Sequence, residues 1–176
     1  MHVHSETMKA AILTISDKAH RGEREDRSGP ALASWLNERA VEVVSARTVP
    51  DEQDAIAAEL IASADGGICD LILTTGGTGV APRDVTPEAT RRVLDREIPG
   101  LGEAMRAASL GKTSYAILSR AVAGMRGRVL IVNLPGSPSG AVENLAAIWG
   151  AVPHAVGKIQ GDASECVPAG RAQQAI

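Results

Sequence analysis

Residues 71–88 constrain the fold of this chain more than any other segment. An apolar run leads into a glycine-rich turn at 76–79, and Thr86 followed by Pro87 is typical of a helix N-cap with proline in the first turn. Glycines at a strand end let several backbone N–H groups approach one ligand, and a helix N-terminus favours negative charge. The segment therefore predicts a buried strand, an anion-binding turn and a helix in immediate succession.

The turn matches neither of two common phosphate-binding patterns. The dinucleotide pattern GxGxxG fails whether it is counted from Gly76 or from Gly77, because other residues occupy required glycine positions. The Walker-like triplet at 111–113 lacks its first glycine, since that position is Arg106, so Lys112 is expected to be a solvated surface lysine. Anion binding by the backbone and plain packing of a glycine turn both remain open at this point.

Composition and charge narrow the classes of function. The chain has 176 residues, of which 44% are hydrophobic and 22% charged, as expected of one globular domain with a substantial core. Aromatic residues make up only 2% and the net charge is −3, so binding of nucleic acid or membranes is not expected. Cys69 and Cys166 lack CxxC partners, and no apolar leader or membrane-spanning run is seen, which together predict a cytoplasmic protein.

Apolar strand-like runs alternate with helix-like stretches along the chain, which predicts a mostly parallel α/β sheet. The charged run at 17–27 fits either a solvated loop or a mobile flap over a site. The helix that starts at Thr86 is expected to be broken at 99–100. Predicted strands cover 10–15, 41–49, 70–75 and 129–134, and predicted helices cover 28–39, a segment from Pro50, a segment from Thr86, 102–110, a segment after 140 and 152–159.

Polar or turn residues follow four of the predicted strands, at 16–17, 50–51, 76–84 and 135–137. Parallel sheets bind ligands outside the carboxyl ends of their strands, so these segments are expected to converge on one edge. The last segment, with glycine followed by serine at a helix start, is a second candidate anion cradle. Asp51 and Asp84 would then lie near bound phosphates, where two carboxylates suffice to hold Mg²⁺. The alternative is that each aspartate only caps a helix.

These motifs closely resemble those of a known family. Over about residues 8–162 the chain is similar to the molybdopterin adenylyltransferases of molybdenum-cofactor biosynthesis and to the related domain of gephyrin. The resemblance implies a homotrimer and a single three-layer α/β domain, with a mostly parallel sheet flanked by helices. It leaves a disordered tail at 1–7 and a mobile tail at 163–176. The motifs that carry the resemblance are at 16–17, 49–53, 74–87, 117–120 and 133–138.

The family transfers AMP from ATP to molybdopterin with Mg²⁺ and releases pyrophosphate, and the resemblance implies that activity here. Asp51 and Asp84 match the family's two essential aspartates, so they are predicted to be catalytic and to hold Mg²⁺. A partner protein for molybdenum insertion is a further expectation. By the same resemblance, molybdopterin is expected to contact Ser16, Asp17, Thr75, Gly76, Gly77, Thr78, Gly79, Ser119 and Arg120, and the nucleotide to contact Pro135, Gly136 and Ser137.

Two other functions stay open. A paralogue that keeps the fold and binds molybdopterin without transferring AMP would act as a binding protein or scaffold, although the retention of Asp51 and Asp84 argues for the enzyme. A sugar- or nucleotide-phosphate enzyme on a doubly wound sheet rests on analogy of fold alone. Pyrophosphate release in the presence of ATP, Mg²⁺ and molybdopterin separates the enzyme from the scaffold.

Overall fold

A sheet of six strands forms the middle layer of the structure, a computed structural model that describes residues 7–163. In chain order the strands are β1 (Lys9–Ile15), β2 (Glu42–Val49), β3 (Leu71–Thr75), β4 (Arg96–Glu97), β5 (Ala123–Arg126) and β6 (Val129–Leu134). Across the sheet the order is β2-β1-β3-β6-β5-β4, with the first four strands parallel and the last two antiparallel to their neighbours. Apart from Thr7 and Ala163, the tails predicted at 1–7 and 163–176 lie outside the described residues.

Helices cover both faces of the sheet, which gives three layers. They are α1 (Asp17–His20), α2 (Ser28–Asn37), α3 (Gln53–Asp65), α4 (Thr86–Val93), α5 (Pro99–Leu110), α6 (Pro138–Ile148) and α7 (Val152–Ile159), and a 3₁₀ turn covers Ser114–Leu118. One hydrophobic cluster packs α2, α5, α6 and α7 on one face, and a second packs α3 and α4 on the other. Each helix within residues 7–163 is too short or too polar to cross a bilayer.

Side chains along β1 alternate between the two clusters, as the two-residue period of a strand requires. Ala10 and Ile12 pack on the α2 face, whereas Ala11, Leu13 and Ile15 pack on the α3 face. A strand buried on both faces must be apolar along its whole length. For this reason the central strands appear in the sequence as continuous apolar runs.

The predicted fold class is confirmed, although one edge of the sheet differs from the prediction. The sequence does not indicate β4 and β5, because strands of two and four residues are too short to show alternation. The helix from Thr86 ends at Val93 instead of continuing to 99–100, since the chain next joins the sheet as β4. Pro99 does not break a helix but begins α5, in the first-turn position that proline favours.

Two local predictions are wrong. Thr86 is not the N-cap of α4, because the cap residue is Val85 and the Thr86 hydroxyl donates instead to the carbonyl of Gly76 at 2.9 Å. The charged run at 17–27 is not a loop throughout, because Ser16 caps the short helix α1 by accepting a hydrogen bond from its first turn at 3.2 Å. Both side chains therefore tie down strand ends that form the site.

Candidate active site

The carboxyl ends of β1, β2, β3 and β6 lie together at one edge of the sheet, as the topology predicts. The N–H of Ser16 donates to the carbonyl of the last residue of β2 at 3.0 Å. The N–H of Gly76 donates to the carbonyl of the last residue of β6 at 3.2 Å, and the Thr75 hydroxyl donates to the Pro135 carbonyl at 2.7 Å. The turn at 76–79 and the turn at 135–137 are therefore neighbours.

Glycine is required at position 76 because the strand ends touch, and Gly136 packs tightly against it. Gly76 has a φ of +107°, and a Cβ built on it would lie 2.3 Å from the carbonyl oxygen of Ile15. A Cβ on Gly136 would lie 3.2 Å from the Cα of Gly76. Close packing alone thus explains these two glycines, so their presence in the sequence does not by itself demonstrate ligand binding.

The two turns nevertheless present unused backbone donors. The N–H groups of Gly77, Thr78 and Gly79 donate no hydrogen bond to any of residues 7–163, and neither do those of Gly136 and Ser137. Successive free N–H groups in a turn form a concave site for an anion. The structure therefore places two adjacent groups of free N–H donors at the two turns where the sequence predicts anion binding.

Asp17 and Asp51 bind each other through backbone and side chain. The N–H of Asp17 donates to Oδ2 of Asp51 at 2.7 Å, and the N–H of Asp51 donates to Oδ1 of Asp17 at 3.0 Å. Arg83 forms a bidentate ion pair with Asp17, with N–O distances between 2.7 and 3.0 Å. Asp51 does not cap α3, since the cap residue of that helix is Glu52. Asp51 therefore does not cap the helix that follows it, although its carboxylate accepts the N–H of Asp17, the first residue of α1.

Asp84 lies in the loop between the glycine turn and α4. Its Oδ2 accepts a hydrogen bond from the N–H of Ala81 at 2.8 Å, so it closes a turn within the loop and does not cap α4. Arg120 holds this loop from the other side. Its Nε donates to the Gly79 carbonyl at 2.6 Å, its Nη2 donates to the Asp84 carbonyl, and its backbone N–H donates to the Thr78 carbonyl at 2.9 Å.

The surroundings of the aspartates shift their pKa values in opposite directions. The hydrogen-bonded guanidinium of Arg83 lowers the pKa of Asp17. Burial raises the pKa of Asp51, and the negative charges of Asp17 and Asp84 add to that effect. A carboxylate whose charged form is disfavoured by burial and by like charges gains from a bound cation. The electrostatics therefore favour a cation beside Asp51.

Two cavities open side by side at this edge, one of about 650 Å³ and one of about 370 Å³. Both turns border both cavities, and Ser137 lines each of them. Among the predicted site residues, Ser16, Asp51, Thr75, Gly76, Gly77, Asp84, Gly136 and Ser137 line the larger cavity, and Thr78, Gly79, Ser119, Pro135 and Ser137 line the smaller. Asp17 and Arg120 line neither; both hold the backbone around them instead.

The structure adds charged residues that the sequence analysis does not select. Arg24, Glu25, Asp26 and Arg27, from the run at 17–27, line the larger cavity together with the two aspartates, so this run contributes two positive and two negative side chains. The position of this run between a strand end and a helix start is the signal that indicates a role at the site. Arg106 and Lys112 line the smaller cavity, where the Lys112 side chain, although 61% exposed, pairs with a glutamate at 2.9 Å.

The donor set at Asp51 and Asp84 fits Mg²⁺ held together with a phosphate. Each carboxylate uses its Oδ2 for a backbone N–H, and Oδ1 of each has no hydrogen-bond partner within the described residues. No group of three or more His, Cys, Asp or Glu side chains within residues 7–163 is arranged to hold a metal ion. Mg²⁺ commonly takes one or two carboxylates and completes its shell with phosphate oxygens and water. Two free carboxylate oxygens beside an anion cradle match that requirement.

The chain matches a family model described as "Probable molybdopterin binding domain" over residues 11–154. It is 44% identical to the molybdopterin adenylyltransferase of Helicobacter pylori (strain J99) over 159 residues, which cover 89% of this chain and 90% of the relative. It is 40% identical to the molybdopterin adenylyltransferase of Escherichia coli (strain K12) over 176 residues, which cover 92% of this chain and 90% of the relative.

A solved structure shows the same fold at high similarity. The molybdopterin biosynthesis enzyme MoaB from Thermus thermophilus superposes with a TM-score of 0.83 at 53% identity, covering 88% of this chain and 97% of that one. The family match begins within β1 and ends within α7, so it includes both turns and both aspartates of the site. The chain therefore belongs to the molybdopterin-binding domain family.

Proposed function

We propose that this protein is a molybdopterin adenylyltransferase, which transfers AMP from ATP to molybdopterin during molybdenum-cofactor biosynthesis. Relatives of that name are 40–44% identical to it over 89–92% of the chain. One structural observation carries the proposal. Asp51 and Asp84, each with an unpaired carboxylate oxygen, line one cavity with two turns whose N–H groups are free.

The reaction forms a bond from a phosphate oxygen of molybdopterin to the α-phosphorus of ATP and breaks the bond from that phosphorus to pyrophosphate. Both substrates are polyanions, so the protein must align them and offset their charge. The free N–H groups at 77–79 would donate hydrogen bonds to phosphate oxygens. Arg24 and Arg27, which line the larger cavity together with Glu25 and Asp26, would offset part of the phosphate charge. No covalent intermediate with the protein is needed.

Asp51 and Asp84 would hold Mg²⁺ through their free Oδ1 atoms. When bound there with phosphate oxygens, Mg²⁺ supplies charge neutralisation at the phosphoryl group that is transferred. The burial that raises the pKa of Asp51 favours occupancy of the site by a cation over an unpaired carboxylate. The two aspartates therefore act on the substrates through their charge and position.

We assign the turn at 76–79, with Ser16, Thr75 and Ser119, to the molybdopterin side and the turn at 135–137 to the nucleotide side. Asp17 and Arg120, which the resemblance also predicts as molybdopterin contacts, line neither cavity and hold the backbone beside these residues. The two turns are in contact through Gly76 and Gly136, so groups bound at them would meet at the shared wall of the two cavities.

Pyrophosphate release tests the proposed activity directly. With ATP, Mg²⁺ and molybdopterin, we expect one pyrophosphate for each molybdopterin consumed, and no release when molybdopterin is omitted. Binding of molybdopterin without any release of pyrophosphate would contradict the enzyme and support a binding protein. Release that does not need molybdopterin would show that the acceptor is a different molecule.

We also propose a homotrimer, as the resemblance implies. Leu110 and Ile117, in and beside the 3₁₀ turn, are 48% and 65% exposed, and Tyr115 and Leu118, which also line the smaller cavity, are 78% and 45% exposed. Large apolar side chains grouped on a surface favour a protein contact. A monomer mass from light scattering at micromolar concentration would refute this proposal.

We place the reaction in the cytoplasm and expect the adenylylated product to pass to a partner protein that inserts molybdenum. The chain has only two cysteines, and Cys69 is buried with a free thiol, which is in keeping with a reducing compartment. Fractionation of cells that express the tagged protein would check the compartment. Co-purification of the product-bound protein with a molybdenum-inserting enzyme would test the partner.

A further inference from the structure

A continuous chain of contacts links the two aspartates of the site. Asp51 and Asp17 exchange hydrogen bonds at 2.7 and 3.0 Å, and Asp17 binds Arg83 through both of its carboxylate oxygens. Arg83 is the residue next to Asp84 in the loop after the glycine turn. Asp51, which follows β2, is thus connected through its hydrogen bonds with Asp17 and through the Asp17–Arg83 ion pair to the loop that carries Asp84.

The orientation of Arg83 separates it from the substrate cavities. Its side chain lines a shallow cavity of about 370 Å³ beside Asp51, Pro82 and Arg92, and it lines neither the larger nor the smaller cavity of the site. Its guanidinium is engaged by Asp17 through Nε and Nη2. Arg83 is therefore placed to hold the loop and not to bind a substrate phosphate.

We propose that Arg83 and Asp17 are positioning residues that set the separation of the Asp51 and Asp84 carboxylates and thereby the affinity of the site for a divalent cation. The inference rests on the proposed function. Groups that orient metal-binding carboxylates change metal affinity or activity by about ten- to a hundredfold when they are removed. The resemblance predicts Asp17 as a molybdopterin contact, whereas we propose that Asp17 positions Asp51.

The ion pair can be broken without unfolding the protein. The Arg83 side chain is 58% exposed, and exposed ion pairs contribute little to the free energy of unfolding. Arg92 and Asp54 form a matched pair at 2.6 Å, in which Arg92 is 55% exposed. Arg92 also lines the same shallow cavity as Arg83, but no contact within residues 7–163 links it to Asp84. Arg92→Gln is therefore the control for Arg83→Gln.

The test measures cation affinity and kinetics on the same variants. Calorimetric titration of Mn²⁺ into the protein with a non-hydrolysable ATP analogue is expected to give about tenfold weaker binding in Arg83→Gln, unchanged binding in Arg92→Gln and an intermediate value in Arg83→Lys. The Mg²⁺ concentration for half-maximal transfer should rise by a similar factor. The KM for molybdopterin at saturating Mg²⁺ should remain unchanged.

Two results would overturn the inference. Unchanged Mn²⁺ affinity in Arg83→Gln would show that the ion pair does not position the carboxylates. A raised KM for molybdopterin with an unchanged Mg²⁺ requirement would make Arg83 a substrate contact. Both results differ from a failure of the proposed function. If the protein were not an adenylyltransferase, the wild-type protein itself would release no pyrophosphate.

Discussion

The carboxylates of Asp17 and Asp51 each accept the backbone N–H of the other, at 3.0 and 2.7 Å, so that the ends of β1 and β2 are locked as a pair. The pair is asymmetric. Asp17 also binds Arg83, whereas Asp51 forms no ion pair within the described residues. The protein therefore stabilises the ionised form of Asp17, whereas Asp51 is held in place without a cationic partner.

This asymmetry predicts opposite effects of neutralising the two residues. We expect Asp17→Asn to lower the melting temperature at neutral pH, because Arg83 lowers the pKa of Asp17 in the folded protein. Burial raises the pKa of Asp51, so its ionised form costs stability, and Asp51→Asn is expected to raise the melting temperature. Thermal melts of both variants would test this, and shifts of the same sign would contradict it.

The pH dependence follows from the same shifts. The stabilising contribution of Asp17 is present above its ordinary pKa of 3.8 and is lost as the pH falls through its lower folded value. The cost of Asp51 appears as the pH rises above 3.8 and is complete above its raised folded value. The difference in melting temperature between each variant and the wild-type protein should therefore become smaller as the pH is lowered.

Asp84→Asn is expected to keep the fold and molybdopterin binding and to lose adenylyl transfer. An amide oxygen can still accept the N–H of Ala81, so the change in stability should stay below about 1 kcal/mol. Loss of the charge near the transferred phosphoryl group should cost about a hundredfold or more in rate. Pyrophosphate release and molybdopterin affinity, measured on one sample, test both statements.

A surface aspartate provides the control for that variant. Asp54 has a side chain that is 90% exposed and lies in α3, outside both cavities of the site. Asp54→Asn should therefore leave turnover unchanged. Near wild-type turnover in Asp84→Asn itself would remove that residue from the reaction.

The central strands and the glycine turn can be predicted from sequence because their causes are local. Strands such as β3 must be apolar on both faces, and the turn after it needs glycine at 76, where a Cβ would come within 2.3 Å of the backbone of β1. The order of strand and turn then predicts which edge of the sheet binds a ligand. Asp51 and Asp84 can be selected because they follow strands at that edge and because the resemblance includes them.

The contacts around the aspartates cannot be predicted in the same way, because they join distant parts of the chain. The Asp17–Asp51 bonds span 34 positions, and the bond from Arg120 to Gly79 spans 41. No local pattern marks either partner. The short strands β4 and β5 are missed for another reason, since β4 forms by pairing with β5, and β5 by pairing with β6, and neither is long enough to show a pattern of its own.

Gly76→Ala is expected to destabilise the protein far more than Gly67→Ala. Both glycines have positive φ, +107° and +66°, but a Cβ on Gly67 would have no atom within 4 Å, whereas one on Gly76 would lie 2.3 Å from the Ile15 carbonyl. We expect a loss of about 1 kcal/mol for Gly67→Ala and about 3 kcal/mol or more for Gly76→Ala. Urea denaturation measures both, and equal losses would contradict the contact with β1.

Kinetics of Arg120→Lys distinguish an arginine that binds substrate from one that holds the loop carrying Asp84. Its guanidinium donates to the carbonyls of Gly79 and Asp84 and to the carboxylate of Glu88. Lysine has no planar fork to reach these three acceptors, so Arg120→Lys should lower kcat by about ten- to a hundredfold if the loop needs this support. The KM for molybdopterin should change little.

Glu88→Gln separates the two roles of Arg120 because Glu88 lines neither cavity of the site. If Arg120 holds the loop, loss of its ion-pair partner should loosen the guanidinium and lower kcat in the same direction, by a smaller factor than Arg120→Lys. If Arg120 instead binds molybdopterin, Arg120→Lys should raise KM and Glu88→Gln should leave both constants unchanged. Steady-state kinetics of the two variants at saturating Mg²⁺ therefore distinguish a loop clamp from a substrate contact.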